Sequence, residues 1–537
     1  MSQNNNKSRI KRLDFQHKFT RIYLFIMFTI FPLVTRINLD KEFPFFNFSR
    51  GYYSIRHEKY YFFLAISGLA VFLVAALFIL YENHPVDYIK TKYGAKFYKR
   101  FSVTDWAVIA FLVVSIISTL LSTNKNVAFF GEPNGRNNGL LLIGFYVMTY
   151  FMITRCFEHK EYIFIGLSIG CGIAFLLGVL NEFYIDPLKM FSTFTSEGDI
   201  LKFISTLGNK NIFSSFICVT LPIIFAMSVV TEKRLNRIVY IISSCLGFMA
   251  VVACDSDSVI IGVGAFIAVS FIFFVRDVVK LKRYFLTLSF VFLSLIALRF
   301  FSYFLKDVYK PLGTFSNLLL YSGFKEALFA ICIVTFFVLY LYNKNEPNKV
   351  FSKSVQIVFI VLFGIGILSV FGAFLYYSVF DTESRIGELE NILRFNDKWG
   401  THRGYMWIRS FWIFGDASFL KKLFGSGPDT FYFVFEPYFE EMKQYGDSST
   451  NAAHNEYLNY LITLGITGLC AYLTMIVSSV TRAIKSAVKN PMSLVFVLAV
   501  IGYATQSLVN IAQPITTPLF IIMVALCEAS ARNNLDS

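Results

Sequence analysis

Charged residues are scarce in this sequence. Asp, Glu, Lys and Arg make up 16% of the 537 residues, whereas 55% are hydrophobic and 18% are aromatic. A soluble protein carries about a quarter charged residues, so the composition excludes a soluble multidomain enzyme. Histidine and tryptophan are also rare, with six and four residues. The few polar clusters therefore mark the positions where chemistry is possible.

Apolar runs of about 20 residues, each long enough to cross a hydrocarbon core of about 30 Å, recur along the whole chain. They predict an all-α fold, a polytopic membrane bundle of about 12–14 transmembrane helices that lies in the lipid bilayer. The 14 predicted spans, a number uncertain by two, are 20–37, 60–81, 106–121, 139–154, 162–181, 211–230, 237–253, 258–275, 284–303, 325–342, 355–379, 454–480, 492–511 and 516–531.

Basic residues are concentrated in alternate connections between these spans. By the positive-inside rule these connections face the cytoplasm, which places both termini inside. The net charge of +14 thus reflects topology and contact with anionic lipid, and no nucleic-acid partner is expected. The basic residues are Lys7, Arg9, Lys11, Arg12, Lys18, Arg21, Lys90, Lys92, Lys96, Lys99, Arg100, Lys233, Arg234, Arg237, Arg276, Lys280, Lys282, Arg283, Arg482, Lys485 and Lys489.

The eight cysteines do not form a recognisable framework. Seven lie in or beside apolar spans and only Cys254 reaches an outer end, so we expect neither a disulfide network nor a metal site. The sequence contains no repeat of 20–50 residues and no matched pair of broken helices. This pattern disfavours a carrier.

One connection is much longer than the others. Residues 1–379 are predicted as transmembrane helices, 380–453 as a large extracytoplasmic loop with short helices, and 454–537 as the C-terminal transmembrane helices. A loop of this length is more often functional than decorative, although a lid that only packs on the bundle is the alternative. Within it, Arg403 to Phe414 has the aromatic density of a helix at a membrane interface.

His454 begins the span that follows this loop. We place it in the first turn of the helix, after the potential N-caps Ser448, Ser449, Thr450 and Asn451. The partial positive charge of a helix N-terminus disfavours imidazolium, so the ring should be neutral and usable as a general base. The alternative is a histidine that only anchors the helix at the interface.

Three more polar clusters are predicted on the outer side. Gly131 to Gly139 is a glycine- and asparagine-rich turn that should present Arg136 at the surface, and Asn209, Lys210 and Asn211 open a span in a way that favours anions. Arg403 lies one helical turn from Trp407, so a guanidinium for phosphate adjoins an aromatic ring for a sugar or prenyl chain. Each cluster alone is also compatible with an ordinary turn.

The order of these clusters resembles the O-antigen ligase and polymerase superfamily. The matching motifs are Gly135-Arg136-x-x-Gly139, Gly208-Asn209-x-Asn211, Leu221-Pro222, Arg403-x-x-x-Trp407, Gly425-Ser426-Gly427-Pro428, His454-Asn455-x-x-Leu458 and Gly465-x-x-Gly468. The resemblance extends over about 105–480. It implies a multi-pass enzyme of the cytoplasmic membrane that transfers a saccharide from undecaprenyl diphosphate to an acceptor hydroxyl on the extracytoplasmic face, with inversion.

The resemblance also implies roles for individual residues. His454 would activate the acceptor hydroxyl and Arg403 would steady the departing diphosphate, while Arg136, Lys210 and Trp407 are further substrate-binding candidates, as are Asn209, Asn211 and Asn455 within the motifs. No cofactor and no metal are implied. The acceptor is a saccharide, lipid or polymer, and polymerase and ligase both remain open.

The sequence departs from the family at one turn. Family members commonly have a Ser-Arg pair there, whose arginine is a second phosphate partner, whereas this chain has Asp255, Ser256 and Asp257. Three explanations are open: Lys210 or Arg136 supplies the second positive charge for the phosphate, this protein binds its donor differently, or it has lost activity. The alternative for Asp255 and Asp257 is that they only cap the helix. A transporter or flippase of lipid-linked glycans and a non-catalytic envelope-assembly scaffold are the alternative functions.

Overall fold

The computed structural model describes most of the chain, namely residues 2–35, 52–81, 100–132, 136–194, 196–305, 309–346, 349–384 and 386–532. Gly135 of the predicted arginine turn and the basic residues Lys90, Lys92, Lys96 and Lys99 lie outside the described residues.

The all-α prediction is confirmed, because the described residues form helices and no β-strand. Eleven of these helices are long and apolar enough to cross a membrane. They are Ile55–Leu80, Val103–Leu121, Glu161–Glu182, Lys210–Val230, Arg234–Cys254, Asp257–Phe274, Val278–Phe304, Phe324–Asn345, Lys353–Phe380, Glu456–Ser486 and Met492–Val509. Helices Ser2–Thr29, Leu140–Cys156 and Thr517–Arg532 occupy the other three predicted positions.

The helix Lys210–Val230 forms the centre of the bundle. Its most apolar stretch is completely buried, and it packs against Arg234–Cys254, Asp257–Phe274 and Met492–Gln506. The helix Lys353–Leu375, by contrast, has no buried residue and lies at the periphery. The polar residues at the start of the central helix, Asn209, Lys210 and Asn211, are therefore partly buried.

Short helices build the long loop around a core of its own. They are Glu390–Leu393, Trp399–Asp416, Phe419–Phe424, Phe431–Phe435 and Phe439–Met442. Tyr405, Met406 and Phe431 pack there with Leu458 and Ile462, which belong to the helix that follows the loop. The predicted helix from Arg403 to Phe414 is confirmed, and the loop and the start of the next helix form one packed unit.

The helix Glu456–Ser486 is broken at Gly465, where φ is 70° and ψ is −175°. The Tyr472 hydroxyl donates to the Glu456 carboxylate at 2.5 Å. In a straight helix these residues, 16 positions apart, would be separated by about 24 Å along the axis. Residues 456–464 therefore fold back against 466–486, and we call this arrangement the re-entrant hairpin.

Backbone packing explains why glycine occupies the bend. A Cβ atom at Gly465 would overlap the backbone of Leu423 and Phe424, and its positive φ is one that other residues rarely adopt. The exposed carbonyls at the end of 456–464 are satisfied from the loop, because the backbone N–H of Gly427 donates to the Thr463 carbonyl at 2.9 Å. Gly465 therefore permits close packing between the hairpin and the long loop.

The hairpin corrects two predictions about this segment. A continuous span over 454–480 is wrong, since the chain reverses at Gly465. The helix begins at Glu456 and its N-cap is Asn455, whose side chain accepts a hydrogen bond from the Leu458 N–H at 3.0 Å. Tyr472 lies about two helical turns after the start of 466–486, and Glu456 lies beside it. His454, two residues before Glu456, therefore lies within the bundle at about this depth.

Candidate active site

His454 lies just before the re-entrant hairpin, in a left-handed backbone conformation with φ of 50°. We refer to residues 451–455 as the histidine loop. The His454 side chain is half-buried, and among the described residues its ring has no hydrogen-bond, ion-pair or ring-stacking partner. The position of the imidazole is therefore set by its backbone, and both ring nitrogens are without a hydrogen-bond partner among the described residues.

Two distant side chains fix the backbone of the histidine loop. The Trp407 indole N–H donates to the Ala453 carbonyl at 2.9 Å, and an Arg136 N–H donates to the Asn451 side-chain oxygen at 2.8 Å. Trp407 also packs on Trp399, with ring centroids 5.1 Å apart. The structure thus joins Arg136, Trp407 and His454, three predicted site residues, in one assembly.

Arg136 corrects a further prediction, because it is not presented at the surface. Its side chain is only 4% exposed. The surrounding turn is fastened by Asp429, whose carboxylate accepts the backbone N–H groups of Glu132 at 2.8 Å and Asn138 at 3.0 Å. Burial raises the pKa of Asp429 to about 6, although these N–H groups and Arg136 oppose the shift.

Glu456 anchors the other side of the histidine loop. Its buried carboxylate accepts hydrogen bonds from the hydroxyl group of Tyr472 and, at 3.1 Å, from that of Tyr503. Tyr472 belongs to the second arm of the hairpin and Tyr503 to the helix Met492–Gln506, so the first residue of the helix is fixed from two directions. The sequence analysis assigned no role to Glu456; its signal was a single acid in an otherwise apolar helix.

The electrostatic environment keeps His454 neutral. Burial is the main cause that lowers its pKa to about 3, and the positive charges of Arg136 and Arg403 lower it further. A neutral ring was predicted, but the reason is different, since burial and two guanidinium groups contribute rather than a helix terminus alone. The same shift makes the imidazole a weak base.

Arg403 begins the regular part of the aromatic helix in the loop. It follows a left-handed turn in which Gly400, Thr401 and His402 all have positive φ, an unusual conformation for a β-branched threonine. Burial lowers the pKa of Arg403, and Asp257 opposes that shift. Its guanidinium has no hydrogen bond or ion pair to any other described residue.

Other arginines of the loop are used by the fold. Arg409 pairs with Asp397 and Glu441, and Arg394 pairs with Glu390 at 2.7 Å. Arg394 additionally donates to the Ser384 carbonyl at 2.6 Å. Arg403 differs from these residues, because it is partly buried yet forms no hydrogen bond or ion pair with the described residues of the loop.

The Asn209 to Asn211 cluster lies at a helix start, as predicted, but its groups are occupied. The Asn209 side chain caps the helix by accepting the Asn211 N–H at 2.8 Å. The Lys210 ammonium lies 3.5 Å from the Asp255 carboxylate. The Asn211 side-chain oxygen accepts a hydrogen bond from Ser256 at 2.9 Å. The geometry therefore uses this cluster to connect helices.

Asp255 and Asp257, the two acids of the turn that lacks the family's Ser-Arg pair, differ in their contacts. Asp255 ends the helix Arg234–Cys254 in a left-handed conformation, pairs with Lys210 and accepts the Gly313 N–H at 2.8 Å. Asp257 is the exposed first residue of Asp257–Phe274. No described residue donates a hydrogen bond to its carboxylate or forms an ion pair with it.

A buried amide network behind this region was missed in the sequence analysis. The Asn510 side chain donates to the Asn211 carbonyl at 2.7 Å, and the Gln506 amide nitrogen donates to Ser214 at 2.9 Å. Gln506 and Asn510 lie at the end of an apolar span, where single amides gave little signal. In the described part of the chain, no group of three or more His, Cys, Asp or Glu residues could hold a metal ion.

Comparison with known proteins identifies one matching family. Residues 312–473 match the model of the O-antigen ligase family, which covers less than a third of the chain and includes Arg403, Trp407 and His454. The match supports the superfamily predicted from the motifs and a membrane glycosyltransferase of the O-antigen ligase or polymerase type. No curated protein matches the chain.

Proposed function

We propose, on the premise of this O-antigen ligase domain, that the protein transfers a saccharide from undecaprenyl diphosphate to an acceptor hydroxyl with inversion. It acts as a polysaccharide polymerase or an O-antigen-ligase-like enzyme. The reaction takes place on the extracytoplasmic side of the cytoplasmic membrane, where the long loop and the histidine loop meet.

In this mechanism His454 is the general base. Its imidazole takes the proton of the acceptor hydroxyl while the hydroxyl oxygen attacks the anomeric carbon of the donor. The bond between that carbon and the diphosphate oxygen breaks, and both of its electrons leave with undecaprenyl diphosphate. Arg403 binds the diphosphate oxygens and stabilises the negative charge that grows as the bond breaks.

The observation that carries the proposal is that the His454 imidazole and the Arg403 guanidinium have no hydrogen-bond or ion-pair partner among the described residues. His17 contacts the Cys156 carbonyl at 2.8 Å, His159 stacks on Phe164 and His402 packs on Tyr445, whereas the ring of His454 has no such contact within the described structure. Among the described arginines of the long loop, Arg394 and Arg409 form ion pairs, whereas Arg403 does not. The two residues also interact electrostatically, since the charge of Arg403 lowers the pKa of His454.

Arg136 is the better candidate for the second positive charge. Its field reaches His454, whereas Lys210 is next to Asp255 and is partly neutralised by it. Arg136 is held by Asn451, so we propose that it supplies charge from behind the histidine loop. Trp407 and Asn455 position the loop, and Asn209 and Asn211 maintain the helix contacts behind it.

The donor itself helps to activate the base. Two arginines lower the pKa of His454 in the free enzyme. A bound diphosphate brings negative charge close to these arginines and therefore raises the pKa of the imidazole again. The base becomes stronger only when the leaving group is in position.

A matched pair of histidine variants tests the proposal. His454→Asn and His402→Asn both replace a loop histidine at positive φ, 50° and 68°, by a residue that tolerates this conformation. With purified protein, undecaprenyl-diphosphate oligosaccharide and acceptor, we expect His454→Asn to lower the transfer rate by about 10²–10⁴-fold, the typical contribution of a general base. His402→Asn should stay close to the wild-type rate.

Arg403 is tested with a control from the same loop. Arg403→Gln should lower kcat by about 10²–10³-fold, as is typical when a preorganised donor to developing charge is removed. Lys421→Gln removes an exposed positive charge and should have little effect. Full transfer by both His454→Asn and Arg403→Gln would overturn the mechanism, and donor binding without turnover by the wild type would favour the scaffold.

A further inference from the structure

The long loop has an apolar face that the other described residues leave uncovered. Phe411 and Trp412 are more than half exposed at the end of the helix Trp399–Asp416, and Phe419 and Leu420 are 74% and 55% exposed in the short helix that follows. We call these four residues the apolar face of the loop. Large apolar side chains that are exposed together mark a contact with a partner or with lipid.

The remaining apolar residues of both helices are used for packing inside the protein. Tyr405 and Met406 belong to the core of the loop, and Phe424 packs against the core of the bundle. Of the aromatic stretch from Arg403 to Phe414, only the far end therefore remains open to contact from outside.

The short helix Phe419–Phe424 lies beside one end of a membrane span. The Thr467 hydroxyl donates to the Leu423 carbonyl at 2.6 Å, at the start of the second arm of the hairpin. The exposed Lys485 lies 18 positions after Thr467, about 27 Å further along the axis. Val477, between them, is 61% exposed on the surface of this span. Because a hydrocarbon core is about 30 Å thick, the short helix lies close to the membrane boundary on the side of the long loop.

We propose that the apolar face inserts into the bilayer surface on this side and docks the long loop there. Its partner is the boundary between acyl chains and headgroups, the depth at which tryptophan is enriched in membrane proteins. The short helix is fastened to a span whose own surface faces lipid, so the bilayer lies within reach of Phe419 and Leu420. Lys421, exposed on the same helix, directs its ammonium group to the headgroups and the water.

Docking restrains the helix that carries Arg403. Arg403 lies near the start of Trp399–Asp416 and Trp412 near its end, so a membrane contact at Trp412 limits how this helix can tilt over the histidine loop. The Arg409 guanidinium lies over the Trp412 ring at 4.7 Å and pairs with Asp397, which connects the apolar face to the interior of the loop. This effect on Arg403 rests on the proposed function, whereas the docking itself does not.

Nitroxide spin labels test the docking without any assay of transfer. The full chain with Cys470→Ala, which removes an exposed cysteine, is labelled at Phe419→Cys and reconstituted in vesicles of phosphatidylethanolamine and phosphatidylglycerol. Val477→Cys is the lipid-facing control, and Glu440→Cys, exposed elsewhere in the loop, is the aqueous control. We expect the label at Phe419→Cys to collide more with oxygen, which partitions into lipid, than with a water-soluble nickel chelate, as at Val477→Cys. Leu420→Cys should give the same pattern.

Two results overturn the docking. One is greater access to nickel than to oxygen at Phe419→Cys and Leu420→Cys, the pattern expected for Glu440→Cys. The other is low access to both reagents, because protein rather than lipid would then cover the face.

A double variant, Phe419→Ser with Leu420→Ser, tests the consequence for activity. In the same vesicles we expect its kcat/KM for the lipid-linked donor to be at least fivefold below that of the wild type, whereas Lys421→Gln on the same helix should match the wild type. A double variant that transfers at the wild-type rate overturns the restraint on Arg403. A wild type that shows docked labels but no transfer overturns the proposed function and leaves the docking in place.

Discussion

Single residues in this protein divide clearly into those that build the fold and those left free. Arg394, Arg409, Lys210 and Asp255 all have charged partners. Arg403, Asp257 and His454 have none among the described residues, and the charge of Arg403 acts on the pKa of both His454 and Asp257. Arg403 and His454 are partly buried, where an unpaired polar group costs stability, so their lack of partners points to a use outside folding.

The pH dependence of transfer follows from the environment of His454. Burial, Arg136 and Arg403 lower its pKa to about 3 in the free enzyme, so kcat/KM should not lose activity from protonation of this ring until about pH 4 or below. The bound diphosphate raises the pKa, so kcat should fall at a higher pH than kcat/KM as the solution is acidified. Rate profiles measured from pH 4 to 9 check this order.

Arg403→Gln provides the internal control for this pH argument. Removing one of the two cations raises the pKa of His454, so the acid limb of kcat/KM should move to higher pH in the residual activity of this variant. Lys421→Gln should leave the profile unchanged. A wild-type limb of kcat/KM near pH 6.5 that disappears in His454→Asn would contradict the account, because it would mean an imidazole with an ordinary pKa.

The residues of the site could be named from the sequence, but most of their contacts could not. Arg136 and Asn451 are 315 positions apart, and only the folded chain brings the guanidinium to the histidine loop. Trp407 was predicted to meet a sugar or a prenyl chain, whereas its indole donates to the Ala453 carbonyl. Periodicity and spacing identify residue types at helix ends; they contain no information about such long-range partners.

Among the structural elements, the re-entrant hairpin is the one that positions the site. It carries the histidine loop into the bundle and places Glu456 against Tyr472 and Tyr503. The apolar pattern of 454–480 predicts one long helix, because the break depends on a single glycine whose φ the sequence does not reveal. Elsewhere the hydrophobic runs were sufficient, and each predicted span corresponds to a helix.

Gly465→Ala tests the importance of this bend. Its φ of 70° and its contact with the backbone of Leu423 leave no space for a methyl group, so we expect less folded protein in detergent and a loss of most transfer activity. Gly366→Ala is the matched control in another apolar helix, since a Cβ there meets nothing within 4 Å. Monodispersity in size-exclusion chromatography and transfer rate give the readouts; similar behaviour of both variants would refute the role of the hinge.

At the scale of the whole molecule, two polar regions lie at opposite ends of the bundle. Near the ends predicted to be cytoplasmic, the buried carboxylate of Glu528 pairs with Arg482 at 2.8 Å, and Arg532 joins it to Asp105. These paired charges hold helices together. The uncommitted charges lie at the other end, where the long loop covers the histidine loop.

Cysteine labelling tests this polarity. Lys421→Cys lies in the long loop and Lys485→Cys in a basic connection, and both positions are exposed. In intact cells that also carry Cys470→Ala, a membrane-impermeant maleimide should label Lys421→Cys, and it should label Lys485→Cys only after permeabilisation. The charge pattern predicts this result. Labelling of Lys485→Cys in intact cells would reverse the orientation and place the site on the cytoplasmic side.

The most direct measurement of the central claim is the single-turnover rate of saccharide transfer by His454→Asn. Saturating undecaprenyl-diphosphate oligosaccharide and acceptor remove any effect on binding, so the rate reports the chemical step alone. The account predicts a fall of at least about 100-fold, with donor binding retained and with the His402→Asn protein near the wild-type rate. A His454→Asn protein that transfers at the wild-type rate would contradict it.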